Sequence, residues 1–114
     1  VNSPAEPERT PDGRYIVVNG RRWRATDPKI PEDVAADLRR HLMAARRAVA
    51  ASRRNEDTAA EGRARRRVHT AKLALGERGT PWWEQSDAER RRRWEDGATR
   101  LEDTEQPGEG HTTP

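Results

Sequence analysis

VAADLRRHLMAARRAVAASRRNEDTAAEGRARRRVHTAKLAL, residues 34–75, decides the fold. Small and apolar residues recur in it at steps of three and four, the period of a helix with one buried face. The first seam runs through Val34, Leu38, Leu42, Ala45, Val49 and Ser52, the second through Ala64, Val68, Ala71 and Leu75. Arginine pairs, Arg39-Arg40, Arg46-Arg47 and Arg53-Arg54, repeat every seven residues. Seven residues are two helical turns, so the pairs stack along one side while the seam faces inward. Thr58-Ala59-Ala60-Glu61 spells a capping box, which starts a second helix after a turn at Asn55-Glu56-Asp57. The expected arrangement is an antiparallel pair, helix 31–54 and helix 58–76. The alternative is one uninterrupted helix, whose seam would lie exposed unless it dimerised.

On the N-terminal side, Pro31 suits a first helical turn, and Glu32, Asp33 and Asp37 sit near the positive end of the dipole. Before it, residues 14–25 read as a β-hairpin. Tyr15-Ile16-Val17-Val18 is a β-rich run, Asn19-Gly20 the turn, and Arg21-Arg22-Trp23-Arg24 the return. A two-residue Asn-Gly loop fixes the register, pairing Val18 with Arg21 and Ile16 with Trp23. The face carrying Ile16, Val18, Trp23 and Ala25 is expected to dock on the helices. The other carries Tyr15, Val17, Arg22 and Arg24. It reads either as a ribbon facing nucleic acid or as a Tyr15–Arg24 stack on a solvated surface.

On the C-terminal side, Gly76 caps the second helix. The adjacent Trp82 and Trp83, in segment 81–84, either close one end of the helix pair or form a patch for a partner. Ser86-Asp87-Ala88-Glu89 is another capping box. It opens a short, marginal helix over 87–96 that lacks an apolar stripe and ends at Gly97. Residues 1–11 and 98–114 read as disordered, mainly acidic tails around one small domain, 12–97. The expected fold is mainly α: an N-terminal β-hairpin packed on a two-helix hairpin, with a short third helix.

The 114 residues are 38% charged and 31% hydrophobic, so the core is thin. The net charge of +3 hides a basic body between acidic ends. Residues 14–72 hold 16 Lys and Arg against 7 Asp and Glu, a balance of +9, and residues 95–114 balance to −5. Such a body attracts phosphate or an acidic partner. No apolar run approaches a membrane span and no signal peptide is visible, so the expectation is a soluble, cytoplasmic protein with no membrane partner.

The absence of cysteine removes disulfides and thiol chemistry. No Gly-rich phosphate loop follows a strand. His41 and His69, with Asp37 one turn before His41, are the one arrangement resembling a metal or acid–base site, and scattered helix histidines usually have no such role. The expectation is therefore no enzyme, no catalytic or metal residues and no cofactor. Candidate contacts to nucleic acid or an acidic protein are Arg22, Arg24, Arg39, Arg40, Arg46, Arg47, Arg53, Arg65 and Arg66. Candidate partner contacts, in a module that includes a homodimer among its options, are Tyr15, Trp82 and Trp83.

Three blocks together resemble a group of small uncharacterised actinobacterial proteins. They are Asp12 to Ala25, Leu42 to Val49, and Val68 to Gly79 followed by Pro81-Trp82-Trp83. The resemblance covers residues 12–84 and implies an ordered middle. Members of the group are sometimes labelled "biopolymer transporter Tol", but this chain has neither a membrane span nor propeller repeats. The resemblance implies no activity, cofactor or site residue.

Overall fold

The computed structural model describes residues 8–105. Among them are three strands, β1 (Glu8–Arg9), β2 (Tyr15–Val18) and β3 (Arg21–Arg24). Three helices follow, α1 (Glu32–Arg54), α2 (Thr58–Ala74) and α3 (Asp87–Glu105), with a 3-10 turn at Trp82–Glu84 before the last. The fold is mainly helical, a small antiparallel sheet on a helical hairpin with a third helix. No helix among the described residues is long and apolar enough to cross a membrane.

The β2–β3 hairpin has the expected register, from Tyr15 opposite Arg24 to Val18 opposite Arg21. Asn19 and Gly20 have φ of 53° and 78°, as a type I′ turn requires. A third strand joins this hairpin. Glu8 pairs with Val17 and Arg9 with Ile16, so the expected disordered arm is ordered at those two residues. Asp12-Gly13 makes the connection: Asp12 Oδ1 accepts from the Thr10 hydroxyl and the Arg14 N–H, and Gly13 takes φ of 75°. Residues 1–7 and 106–114 of the expected tails lie outside the described residues.

The α1–α2 pair is antiparallel, and no continuous helix forms, because α1 ends in a Schellman motif. Asp57 N–H donates to Ser52 O at 2.9 Å and Glu56 N–H to Arg53 O at 3.1 Å. Glu56 occupies the left-handed position, with φ of 55°. The α2 cap is one residue earlier than the capping box suggested. Asp57 accepts from Ala60 N–H at 3.0 Å, while Glu61 bonds Arg65 instead. An ionised carboxylate caps the helix dipole more strongly than a threonine hydroxyl.

The third helix differs most from expectation. It passes through Gly97 and runs to Glu105, so residues 98–105 are helix. Its inward stripe is Arg90, Trp94, Gly97 and Leu101, spaced four, three and four, and all four are buried. Gly97 is a crossing point. A Cβ added there would come within 2.4 Å of Ala74 Cβ, so glycine permits the close approach of α3 to α2. Leu38, Leu42, Ala71, Leu75, Trp94 and Leu101 form the core between the three helices.

Arg90 is buried because it meets Asp27, whose side chain has 0% exposure. Arg90 Nε and Nη2 donate to Asp27 Oδ2 and Oδ1 at 3.0 and 2.5 Å, a bidentate pair. Arg93 Nη2 adds a bond to Oδ2 at 2.6 Å, and the Lys29 N–H another to Oδ1 at 2.9 Å. Asp27 N–H donates to Leu75 O. One residue thus ties the segment before α1 to the end of α2 and to α3. Trp82 completes the joint, its indole N–H donating to Ala25 O at 2.9 Å with the Arg90 guanidinium 5.2 Å from its ring.

Candidate nucleic-acid interface

A groove of about 400 Å³ opens between α1 and α2, lined by Arg46, Val49, Arg65, Val68 and Arg78. Each helix contributes an arginine and, three residues on, a valine on the same face. The valines are partly buried and the arginines exposed, so the floor is apolar and the rim cationic. No acid is among the lining residues. Arg65 Nε reaches back along α2 to Glu61 at 2.9 Å. Arg78 Nη1 lies 3.1 Å from His69 Nδ1, which fixes the guanidinium at the end of the groove. Planar guanidinium forks around an apolar floor suit the bidentate capture of an oxyanion such as phosphate.

Of the expected contacts, the structure brings Arg46 and Arg65 together here and adds Arg78. Arg39 and Arg40 stand nearer the start of α1 and pair with Glu32 and Asp37. Arg47 and Arg53 are exposed and form no ion pair among the described residues. Arg66 lines a different groove, of about 780 Å³, with Arg63, Arg100 and Asp103. The ladder of pairs is therefore not one continuous cationic face. Its first step is largely neutralised by neighbouring acids, and the α2 arginines divide between two grooves.

The ribbon meets its expectation in part. Its Tyr15 face is half-buried: Trp83 packs edge-on against Tyr15 at 5.6 Å between centroids, with Arg14 at 4.7 Å and Arg24 at 5.8 Å from the Trp83 ring. Arg22 stacks over Tyr15 at 4.6 Å, and Arg24 Nη1 donates to Gly79 O at 2.7 Å. Tyr15, Arg24 and Trp83 thus mainly serve intramolecular packing. Trp82, expected as a partner contact, is only 8% exposed because its ring closes the Asp27 joint. The face expected to dock on the helices is buried at Ala25 and half-buried at Ile16, but open at Trp23, 42% exposed, and Val18, 39% exposed. Arg21 lies over Trp23 at 4.4 Å and Lys72 of α2 at 5.7 Å.

His41 and His69 have separate surroundings. His41 is buried, its Nε2 3.7 Å from Asp37 Oδ2, whereas His69 is exposed against Arg78. Among the described residues no group of three His, Cys, Asp or Glu side chains is placed to hold a metal ion. Asp27, Arg78 and the exposure of Trp23 escaped the sequence reading. Asp27 had one signal, an acid beside Pro28 with an arginine-rich helix still to be placed, but its partners lie more than sixty residues away. Arg78 sits past the helix end, and the turn at Gly76, with φ of 83°, decides where it points.

Comparison with protein-family models, with curated proteins and with solved structures finds no match to this chain.

Proposed function

We propose that the protein is a non-catalytic nucleic-acid or ribonucleoprotein accessory module, working in the cytoplasm, that holds a phosphate backbone along the α1–α2 groove. The observation that carries this reading is the convergence of Arg46, Arg65 and Arg78 on one acid-free, valine-floored groove. The Glu61–Arg65 pair does not oppose it. Exposed pairs of this kind contribute about 0–1 kcal/mol, less than a guanidinium gains from a bidentate phosphate. From Arg46 to Arg53, α1 rises about 10 Å, which spans roughly three phosphate steps of one strand in a duplex. Arg47 and Arg53 extend the track along that length.

The test is fluorescence anisotropy with labelled DNA and RNA across a salt series. Binding that weakens steeply with salt, and weakens further in the triple substitution Arg46→Gln, Arg65→Gln and Arg78→Gln, is the expected result. No binding to either nucleic acid at low salt would sink the proposal. An acidic protein surface presents carboxylates to the same groove. A crosslinking pull-down with and without nuclease separates the two occupants, because nuclease abolishes recovery only for the first.

A further inference from the structure

We infer that the exposed Val18–Trp23 part of the ribbon, beside the half-buried Ile16, is a stacking platform for the unpaired bases of a single-stranded nucleic acid. This rests on the nucleic-acid reading above and narrows it. Trp82 and Trp94 are each 8% exposed, whereas Trp23 is 42% exposed and has the equally open Val18 on its face. The strand register puts Arg9 and Arg21 on that face as well, opposite Ile16 and Val18. Lys72 approaches the Trp23 ring from α2. An aromatic surface left in water, with Arg21 on its ring, Arg9 on its face and Lys72, itself paired with Glu77 at 3.7 Å, at its edge, is a combination that binds a base with its phosphate.

The platform also continues the groove. Arg65, Val68 and Lys72 are spaced three and four along α2 and share one face. Lys72 therefore follows Val68 by one turn, about 6 Å along the axis. A strand with its phosphates on Arg46 and Arg65 reaches Trp23 without leaving the surface. Arg21 already covers part of the ring, but its guanidinium is exposed, and an exposed cation–π contact contributes about 0.5–1 kcal/mol. Base stacking on an aromatic side chain contributes about 1–3 kcal/mol, so a base displaces Arg21, which turns to the neighbouring phosphate. A duplex has no free base faces to offer. Its groove edges are read by donor and acceptor patterns, and an indole supplies one donor only.

The test measures anisotropy of three labelled ligands of about 20 nucleotides: a base-bearing single strand, the same strand without bases, and its duplex. Wild type, Trp23→Ala and Trp23→Phe are compared, with thermal melting to check that each is folded. Wild type should bind the base-bearing strand about tenfold more tightly than the baseless one. Trp23→Ala should remove that tenfold difference and leave duplex affinity unchanged, and Trp23→Phe should retain part of it. Equal wild-type affinity for strands with and without bases overturns the inference but leaves the groove proposal intact. So does tighter binding of the duplex than of the strand, or a Trp23→Ala protein that binds like wild type. Failure of wild type to bind any of the three removes both proposals together.

Discussion

A carboxylate without solvent contact is costly unless every lone pair is used, and Asp27 uses them on Arg90, Arg93 and the Lys29 N–H. Burial by itself raises the Asp27 pKa, but the bonds from the two guanidiniums and the backbone outweigh it and hold the group below the usual carboxylate range. A depressed folded-state value stabilises the protein above the ordinary Asp pKa of about 3.9, and the stabilisation is lost as pH falls through the folded value. Wild type should therefore lose stability in urea titrations below about pH 4. Asp27→Asn should be less stable by about 3–5 kcal/mol at pH 7, with Arg90 left buried against a neutral partner, and should show less of the acid loss. A second residue works in the opposite direction. Glu56 holds a left-handed conformation that costs an L-residue about 1–2 kcal/mol. Glu56→Gly removes that strain and should raise the melting temperature by a few degrees.

Between elements, the crossing of α2 and α3 depends on Gly97. Alanine gains about 1 kcal/mol over glycine in a helix interior, but overpacking a close contact costs about 1–3 kcal/mol. With Ala74 Cβ at 2.4 Å from the added carbon, the overpacking term wins, and Gly97→Ala should destabilise. Ala74→Gly in the same chain should restore part of the loss, and a double-mutant cycle in denaturant measures that coupling. This helix also shows where the sequence could be read and where it could not. Leu38, Leu42, Ala71 and Leu75 announce α1 and α2 by ordinary periodicity, and Asn19-Gly20 announces the hairpin register. The α3 stripe has the same spacing, but Arg90 and Gly97 occupy two of its four places. An arginine reads as surface until the buried acid that meets it is known, and a glycine reads as a stop until the neighbouring helix is placed. The groove had a similar fate. Arg46 and Arg65 were visible individually, but their convergence depends on how the two helices are paired. Trp23 was assigned inward from alternation alone, although Trp83 covers the opposite face.

For the molecule as a whole, the +3 net charge understates the field that a ligand meets, because residues 14–72 balance to +9. At 0.1 M salt charges are screened beyond about 10 Å, so binding should be governed by local groups rather than by net charge. Replacing Arg46 with Gln should flatten the slope of log affinity against log salt by about 1, whereas replacing Arg39, already paired with Glu32, should change it less. A salt series on the two variants gives both slopes.

The Asp27 joint also sets an order of assembly. Its arginine partners follow it by 63 and 66 residues, whereas α1 and α2 meet across a three-residue turn. Local contacts close first because short loops lose less entropy. During synthesis the helical hairpin can form while Asp27 is still hydrated, and the carboxylate can leave water only when residues 90 and 93 arrive. The fastening of the ribbon to α3 is then the late step of folding, made through one acid, although the β2–β3 hairpin itself closes over two residues. Pulse-labelled hydrogen exchange should show amides of α3 becoming protected in a phase that follows α1 and α2. A ribosome holding the chain short of residue 90 would carry the scaffold with its ribbon not yet fastened.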